Sequence, residues 1–337
     1  MTRRTATLAV CVVLSVALVA VASALRVPYV ALAPGPVFDT LGPARDANGN
    51  AEKRPLIEIV GHKSYPTAGA LDFTTVSVVD DISLPTALRY WFDGSVAIVP
   101  RELIFPPDVP TEEVEQHNKE DMTQSQSDAA TAALRTLHVP VSTRIVVDRT
   151  EPKSPAAAAL KAGDLITTVD GHGVGSLSDV RARISARHPG DTVHIGFTRG
   201  GKRTDVSLRT IAAPDEPTRP VIGVVLRERH VFPFTVKVNV SDVGGPSAGL
   251  MLALAIYDRL TPGSLTGGRH IAGTGAIDSN GNVGPIGGVQ QKIIAARAAK
   301  AQYFFTPRGD CKQVLAVRPK GIDVVEVTSL RDALADL

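Results

Sequence analysis

The first regular pattern in the chain is a long apolar stretch next to its start. Residues 5–25 contain no charged side chain, and Arg3 and Arg4 precede them. About 20 apolar residues are enough to cross a bilayer as a helix, and arginines before a span favour a cytoplasmic N-terminus. A cleaved signal peptide is the alternative, because Ala22-Ser23-Ala24 has the small-x-small form of a cleavage site. The length of the run favours a retained membrane anchor over residues 1–25, with the bulk of the chain extracytoplasmic.

Proline-rich and strand-like patterns alternate in the next segment. Residues 26–54 hold four prolines and the polar run 46–50, which is typical of a stalk and a surface loop. Further along, the patterns predict the following elements: a strand over 56–60, a strand over 70–79, a short helix over 85–92 and one or two helices over 111–137.

Short strands and turns then follow, and they resemble a bacterial PDZ domain. The pattern includes Ser154-Pro155-Ala156, a helix over 177–185 and a hairpin turn at Gly200-Gly201. We place this PDZ-like domain at residues 139–213. The resemblance implies peptide binding by strand addition. The glycine-containing carboxylate loop of the family has no counterpart at 137–141, so binding of free C-termini stays open.

One spacing in this domain imitates a phosphate-binding loop. Gly196 to Lys202 has the Gly-x4-Gly-Lys spacing, but Arg203 follows where a Ser or Thr is required. A phosphate loop also needs a strand that leads into a helix, whereas this pattern is strand, turn, strand. We therefore predict a hairpin here and no nucleotide partner.

The last third of the chain has a serine between an apolar strand, predicted over 234–240, and a helix predicted over 248–260. Ser247 follows Gly244-Gly245-Pro246, which form the turn into that helix. The first N–H groups of a helix are unpaired and lie at the positive end of its dipole. Such groups can hold an oxyanion, so Gly245, Pro246 and Ala248 are assigned to the nucleophile turn and oxyanion region. A serine alone is a poor nucleophile and needs a base.

Lys292 is the candidate base. It lies in the Ala-rich segment 290–301, in which Ile293, Ile294 and Ala296 form an apolar face. Desolvation against such a face lowers the pKa of a lysine and favours its neutral amine. Pairs of Ser and Lys are an established variant of the catalytic triad.

The two runs around these residues resemble the proteolytic domain of Lon-type serine proteases. The first run is Gly-Pro-Ser-Ala-Gly around Ser247, and the second is Thr-Gly-x-Ile-x-x-x-Gly-x-Val-x-Pro-Ile-Gly-Gly-x-x-x-Lys. The resemblance covers roughly 220–319. It implies that Ser247 is the nucleophile, Lys292 the general base and Thr274 the hydroxyl that positions the lysine. Many family members have an acidic residue three positions before the serine, where this chain has a glycine, and nearby Asp242 is out of register.

Composition and charge remove several classes of function. Lys plus Arg (36) nearly balance Asp plus Glu (34), and aromatic residues make up 4% of the chain, so no nucleic-acid partner is expected. The two cysteines, Cys11 and Cys311, do not form a disulfide framework. The eight histidines form no metal-binding motif, so we expect neither a metal nor a cofactor.

The predicted fold class is α+β, with a transmembrane helix, a PDZ-like β-rich domain and a Lon-type α/β proteolytic domain. The stretch 69–76 resembles the early Gly-x-Leu strand of Lon-type domains, and 55–100 is too short and too polar for a core of its own. We therefore expect the proteolytic domain to be discontinuous around the PDZ domain. The predicted segments are: 1–25, cytoplasmic tip and anchor; 26–54, stalk and loop; 55–138, N-terminal part of the protease domain with a helical connector; 139–213, PDZ-like domain; 218–337, Lon-type proteolytic domain.

The order of anchor, PDZ domain and Lon-type domain resembles the PDZ-containing Lon-like proteases of bacteria. The resemblance implies a membrane-anchored, ATP-independent serine endopeptidase that cleaves unfolded or exposed segments of extracytoplasmic proteins. The alternative is a peptide-binding scaffold or adaptor with a little-used protease domain. Expected partners are protein or peptide substrates and the membrane. The substrate, the cleavage preference and homo-oligomer formation stay open.

Overall fold

The structure, a computed structural model, describes residues 3–45, 50–241, 243–317 and 320–337. The chain folds as two compact units: residues 1–139 together with 234–337, and residues 140–233. Both helices and strands are abundant, as the α+β prediction requires. The predicted surface loop at 46–49 and Asp242 lie outside the described residues.

The first unit begins with the apolar helix Arg3–Ala24. The stretch Thr7–Ala24 has a mean hydropathy of 2.5 and is not buried by the rest of the protein. A helix of 22 residues is about 33 Å long, close to the thickness of a bilayer's hydrocarbon core. By length and composition it fits either a membrane span or a signal sequence.

A six-stranded mixed sheet forms the centre of the first unit. Its strands lie side by side in this order: Ala97–Pro100, Tyr29–Asp39, Ala70–Val79, His270–Gly273, Tyr303–Pro307 and Asp323–Val327. Tyr29–Asp39 is antiparallel to both of its neighbours. The last four strands of this order run parallel to one another. Residues from before and after the inserted unit meet in the middle, where Ala70 pairs with His270. The expectation of a discontinuous proteolytic domain is confirmed by this pairing.

Helices and short ribbons complete the first unit. The helices are Leu84–Trp91, Thr111–Thr136, Gly249–Leu260, Val289–Ala298, Cys311–Ala316 and Leu330–Ala335, with single turns at Arg101–Leu103 and Arg308–Asp310. Three two-stranded ribbons pair Pro43–Arg45 with Ala51–Pro55, Ile57–Val60 with Thr235–Val238, and Ala276–Ile277 with Val283–Gly284. The helix Gly249–Leu260 packs between the sheet and Thr111–Thr136, which explains why residues 250–256 are fully buried.

The prediction of a stalk and loop over 26–54 is wrong for its first half. Tyr29–Asp39 is a strand of the sheet, paired with Ala97–Pro100 on one side and Ala70–Val79 on the other, and Val30 and Ala31 are fully buried. Its prolines are tolerated because the pairing with Ala97–Pro100 ends at Leu32, beyond which that side of the strand has no partner among the described strands. A register shift after Pro34 in the pairing with Ala70–Val79 accommodates the rest of the proline-rich run.

The second unit is built on a six-stranded antiparallel sheet, in which five strands lie side by side and the short strand His172–Gly173 pairs with Leu165–Val169. Across this sheet the order is Lys202–Arg209, Thr192–Arg199, Leu165–Val169, Ser142–Thr150 and Val224–Val231. The remaining elements are the paired strands Ile211–Ala212 and Pro220–Val221, the single turn Ala156–Ala158 and the helix Leu177–Ser185. The helix starts with a capping box between Ser176 and Asp179, and its buried face packs on the apolar side of the sheet.

Two predictions can be compared directly with this second unit. The hairpin at Gly196 to Lys202 is confirmed, and both turn glycines have the positive φ that a tight hairpin turn requires, +54° at Gly200 and +81° at Gly201. The predicted end of the domain at residue 213 differs from the structure. Val224–Val231 pairs with Ser142–Thr150, so the unit continues to Pro233.

Candidate active site

Ser247 lies in a tight turn directly before the helix Gly249–Leu260. Gly245 has a φ of +81°, which glycine adopts without strain. The turn is fixed to the neighbouring chain from both sides, because the N–H of Gly275 donates to the Ser247 carbonyl at 2.9 Å and the N–H of Leu250 donates to the Gly275 carbonyl at 3.0 Å. The hydroxyl-bearing residue is therefore held by backbone contacts rather than by a flexible loop.

The long helix Thr111–Thr136 supports this turn. The Ser125 hydroxyl donates to the Pro246 carbonyl at 2.9 Å, and the N–H of Gly245 donates to the Asn118 carbonyl at 2.8 Å. Ser125 is buried, so its hydrogen bond is protected from competition by water. A segment more than 100 residues earlier in the chain thus positions the candidate nucleophile.

The same contacts define which N–H groups are available for an oxyanion. The N–H of Gly245 is already used, and Pro246 has none. The N–H groups of Ser247 and Ala248 donate to no other residue that the structure describes. They precede a helix and lie at its positive end. Within the predicted oxyanion region, Gly245 and Pro246 therefore offer no free N–H group, and the N–H groups of Ser247 and Ala248 are the candidate donors.

Lys292 meets Ser247 directly. Its Nζ lies 2.7 Å from the Ser247 Oγ and 3.2 Å from the Thr274 Oγ1. The Thr274 hydroxyl in turn donates to the Ser247 carbonyl at 3.0 Å. Since its proton is engaged there, Thr274 accepts from the amine. A neutral amine that donates to Thr274 presents its lone pair to the serine hydroxyl, which is the arrangement a general base needs.

Burial of the amine increases the fraction of Lys292 that is neutral near physiological pH. The Lys292 side chain is only 3% exposed, and it forms no ion pair with a described residue. Desolvation lowers its pKa from 10.5 to about 8, against a weaker opposing effect of the Asp310 carboxylate. The sequence predicted a lowered pKa from the apolar face of the segment, and the burial of Lys292 lowers its pKa.

The helix Val289–Ala298 brings the lysine to the sheet. Gly288 starts the helix with a φ of +66°, and a Cβ on it would lie 2.6 Å from the Val76 Cγ2. Only a glycine lets the helix begin so close to the strand Ala70–Val79. Asp310 fixes the preceding loop by accepting the N–H of Ile286 at 2.8 Å.

A cleft of about 660 Å³ opens next to the Ser247 hydroxyl. One wall is the stretch Thr74–Val78, and another is the nucleophile turn with Lys292. The strand Ala70–Val79 pairs with His270–Gly273 only as far as Phe73. Beyond that residue this edge has no partner among the described strands. An open strand edge along a cleft can bind an extended peptide through its backbone groups.

The second unit has a groove of its own. About 820 Å³ lies between the helix Leu177–Ser185 and the strand Val224–Val231. That strand is the outermost of its sheet, so its free edge can accept a peptide. The loop before it reads Val221-Ile222-Gly223, and Gly223 has a φ of +71°.

This groove corrects the position at which the carboxylate loop was sought. Residues 137–141 precede Ser142–Thr150, which is paired on both sides and cannot accept a further strand. The glycine-containing loop that precedes the edge strand is instead formed by residues 221–224, in the later part of the unit.

Comparisons with known proteins identify a domain in each of the two parts of the chain. A family model for the C-terminal proteolytic domain of Lon protease (S16) matches residues 238–335, and a PDZ model matches residues 116–210. Similar proteins are a Lon protease of Roseiflexus castenholzii (34% identity over 27% of this chain and 11% of that protein), Lon protease 2 of Bacillus subtilis (26% over 50% and 31%) and the periplasmic pH-dependent serine endoprotease DegQ of Escherichia coli (33% over 28% and 22%). The chain spans less than a third of the length of each of them.

The chain joins a PDZ domain to a Lon-type serine peptidase domain.

The structure refines the extents of both matches. The Lon-type match begins at residue 238, whereas the sheet of this domain also contains Tyr29–Asp39 and Ala70–Val79. The PDZ match begins inside the helix Thr111–Thr136, which belongs to the first unit, and ends before the edge strand Val224–Val231. Among the described residues, no group of three or more His, Cys, Asp or Glu side chains is arranged to hold a metal ion.

The structure brings Ser247, Thr274 and Lys292 of the Lon-type domain into one contact group. Sequence reasoning missed Ser125 and the carbonyl of Asn118. Both lie in a polar helical stretch whose local pattern contains no sign of a contact with a turn more than 100 residues later in the chain. A signal for them could only have come from the pairing of distant segments.

Proposed function

We propose that the chain is a membrane-anchored serine endopeptidase with Ser247 as nucleophile and Lys292 as general base. The observation that carries this proposal is the 2.7 Å contact between a buried amine and the serine hydroxyl. Isolated Ser and Lys side chains rarely meet in this way, because a charged lysine loses its hydration when buried. A neutral lysine next to a serine is instead a site for acyl transfer.

In the proposed mechanism, the Lys292 amine takes the Ser247 proton as Oγ attacks the scissile carbonyl. The carbonyl π pair moves to oxygen, and the N–H groups of Ser247 and Ala248 stabilise the oxyanion. The ammonium then gives its proton to the leaving amine as the C–N bond breaks. Water, deprotonated by the same lysine, attacks the acyl-enzyme and returns Ser247 to its free form. Thr274 keeps the amine directed at the hydroxyl throughout.

The cleft supports extended rather than folded substrates. A peptide that pairs with the open edge at 74–79 lies along the wall of the cleft that holds Ser247. Backbone pairing requires an extended segment, so unfolded or exposed regions of proteins are the proposed substrates. The phosphate-loop-like run is a hairpin, which supports hydrolysis without ATP.

The PDZ groove and the apolar helix complete the proposal. Free C-termini or extended segments of other proteins would pair with the open edge of Val224–Val231. Binding at this edge would select substrates or regulate the peptidase. The helix Arg3–Ala24 would hold the chain in the membrane, with the two units on the extracytoplasmic side. The alternative is a scaffold that binds peptides in the PDZ groove and does not cleave them. The groove itself is the observation that favours this alternative.

Hydrolysis of an unfolded protein by the full chain separates these two functions. Ser247→Ala and Lys292→Ala should each abolish cleavage, and the double variant should be no worse than either, because the two groups act as a unit. A fluorophosphonate should label the wild type but neither variant. Thr274→Val should lower kcat about tenfold through loss of one hydrogen bond, and Thr274→Ser should restore most of it. Undiminished cleavage in either dyad variant contradicts the peptidase proposal, and peptide binding without cleavage supports the scaffold.

A further inference from the structure

Exposed apolar side chains lie on two elements that are hydrogen-bonded to the residues following the apolar helix. Outside that helix, six large apolar side chains among the described residues are more than half exposed: Leu25, Leu88, Trp91, Phe92, Leu103 and Leu315. The exposed fractions reach 73% at Trp91 and 84% at Phe92. We define Leu88, Trp91, Phe92 and Leu103 as the juxtamembrane patch. In water, so many exposed large apolar side chains in one region mark an interaction surface.

The patch is attached directly to the residues that follow the apolar helix. The N–H of Leu84, the first residue of the helix Leu84–Trp91, donates to the Leu25 carbonyl at 3.1 Å. The N–H of Arg101, which begins the turn that holds Leu103, donates to the Pro28 carbonyl at 3.0 Å. Both elements that carry patch residues are therefore fixed to the first residues after Ala24.

These attachments place the patch within reach of lipid. The helix Leu84–Trp91 has 8 residues and so is about 12 Å long. Its start is bonded to Leu25, the first residue after the apolar helix, so Leu88 and Trp91 lie within about that distance of the end of that helix. Leu103 lies two residues after Arg101, which is bonded to Pro28. The headgroup region on each side of a bilayer is about 5–7 Å thick, and interfacial helices insert about 5–10 Å.

The side chains suit this environment. Tryptophan and other amphipathic aromatics concentrate at the boundary between headgroups and acyl chains. The helix Leu84–Trp91 has no buried residue, one basic side chain, Arg89, and no acidic one. A lipid surface covers such a face without any further protein.

We propose that the juxtamembrane patch inserts into the outer surface of the same bilayer that holds the apolar helix. The catalytic unit would then be attached to the membrane at two points rather than by one flexible tether. This inference rests on the membrane anchoring proposed above, but it does not depend on the peptidase chemistry.

The chain contains a single tryptophan, Trp91, which makes the test direct. The full chain is reconstituted in phosphatidylcholine vesicles with or without bromine atoms on the acyl chains, and tryptophan emission is compared. Because an inserted side chain lies within contact distance of the brominated carbons, emission of Trp91 should fall by roughly half or more.

A matched control moves the reporter to the far end of the same sheet. Tyr303 is paired with Ile271, which is paired with Leu71 in the strand Ala70–Val79. Leu71 lies eight residues before Val79, the end of that strand that leads to the patch. At about 3.3 Å per residue this is roughly 25 Å. In the Trp91→Phe, Tyr303→Trp chain, bromine should leave the emission unchanged. Leu88→Ser with Phe92→Ser should weaken quenching of Trp91 in an otherwise folded chain.

Each other result overturns the proposal. Absence of bromine quenching at Trp91, with hydrolysis of unfolded protein intact, rejects the patch but leaves the peptidase. Equal quenching of both reporters means that insertion is not specific to the patch. Shielding of Trp91 from aqueous iodide without bromine quenching assigns the patch to a second copy of the chain instead of lipid.

Ser247→Ala, which removes the proposed activity, should leave bromine quenching of Trp91 unchanged.

Discussion

Raising the pH from 7 to 9 should increase kcat/KM for an unstructured peptide about tenfold, after which the rate should stop rising. With a Lys292 pKa of about 8, roughly 9% of the amine is neutral at pH 7 and roughly 90% at pH 9. A lysine with an ordinary pKa would be neutral in roughly 0.03% of molecules at pH 7 and 3% at pH 9. It would therefore give a rise of about a hundredfold and no plateau.

The size of this effect follows from the surroundings of the lysine. A pKa lowered from 10.5 to about 8 corresponds to about 3.4 kcal/mol against the charged form, an order-of-magnitude figure. Burial provides it, and the negative charge of Asp310 opposes it. Asp310→Asn removes that charge but keeps an oxygen to accept the Ile286 N–H. The midpoint of the pH profile should therefore move to lower pH.

The assay is cleavage of a quenched fluorogenic peptide by the full chain from about pH 6 to about pH 10 at constant ionic strength, with Ser247→Ala as the blank. Circular dichroism at each pH excludes unfolding as a cause of lost rate. A profile that still rises at the highest pH would refute a buried neutral base. So would a midpoint that Asp310→Asn leaves in place or raises.

Three further predictions concern stability and the support of the turn. The pKa of Lys292 is lower in the folded than in the unfolded chain, so this residue destabilises the fold most below about pH 8 and less as the pH approaches 10.5. Lys292→Met should therefore raise the free energy of unfolding at pH 7 by roughly 2 kcal/mol, once the loss of the lysine's hydrogen bonds is subtracted. Urea denaturation of both proteins measures this difference. Ser125→Ala should lower kcat about five- to tenfold, whereas Asn118→Ala should not, because that contact uses the backbone; equal kinetic losses would contradict the assigned support. Gly249→Ala places a Cβ 2.8 Å from the Ser125 Oγ and should destabilise by about 1–3 kcal/mol, while Gly284→Ala, with nothing within 4 Å, should not.

The sequence predicts well where chemistry depends on local spacing. The turn before Ser247 and the glycine-rich run that ends at Lys292 are short patterns, so their residues could be assigned before any contact was known. The lowered pKa of the lysine also has the expected direction, since the apolar neighbours that desolvate it are adjacent in the helix.

The sequence predicts poorly where position depends on distant partners. Tyr29–Asp39 resembled a stalk because its prolines interrupt the strand pattern, and only the open side of the strand in the sheet explains why they are tolerated. The carboxylate loop of the PDZ domain was sought at residues 137–141, yet the edge strand comes from residues 224–231. Ser125 has no local signal at all.

The pairing of Ala70 with His270 also has a consequence for biosynthesis. At synthesis rates of roughly 5–20 residues per second, the 200 residues between them take roughly 10–40 s to emerge. During that interval the strand Ala70–Val79 has no partner on one edge, and an exposed strand edge is prone to mispairing. The PDZ domain, by contrast, has all its strands by residue 231. A nascent chain thus completes the strands of its PDZ domain while only three of the six strands of the other sheet have emerged, and that sheet is complete only once Asp323–Val327 has joined.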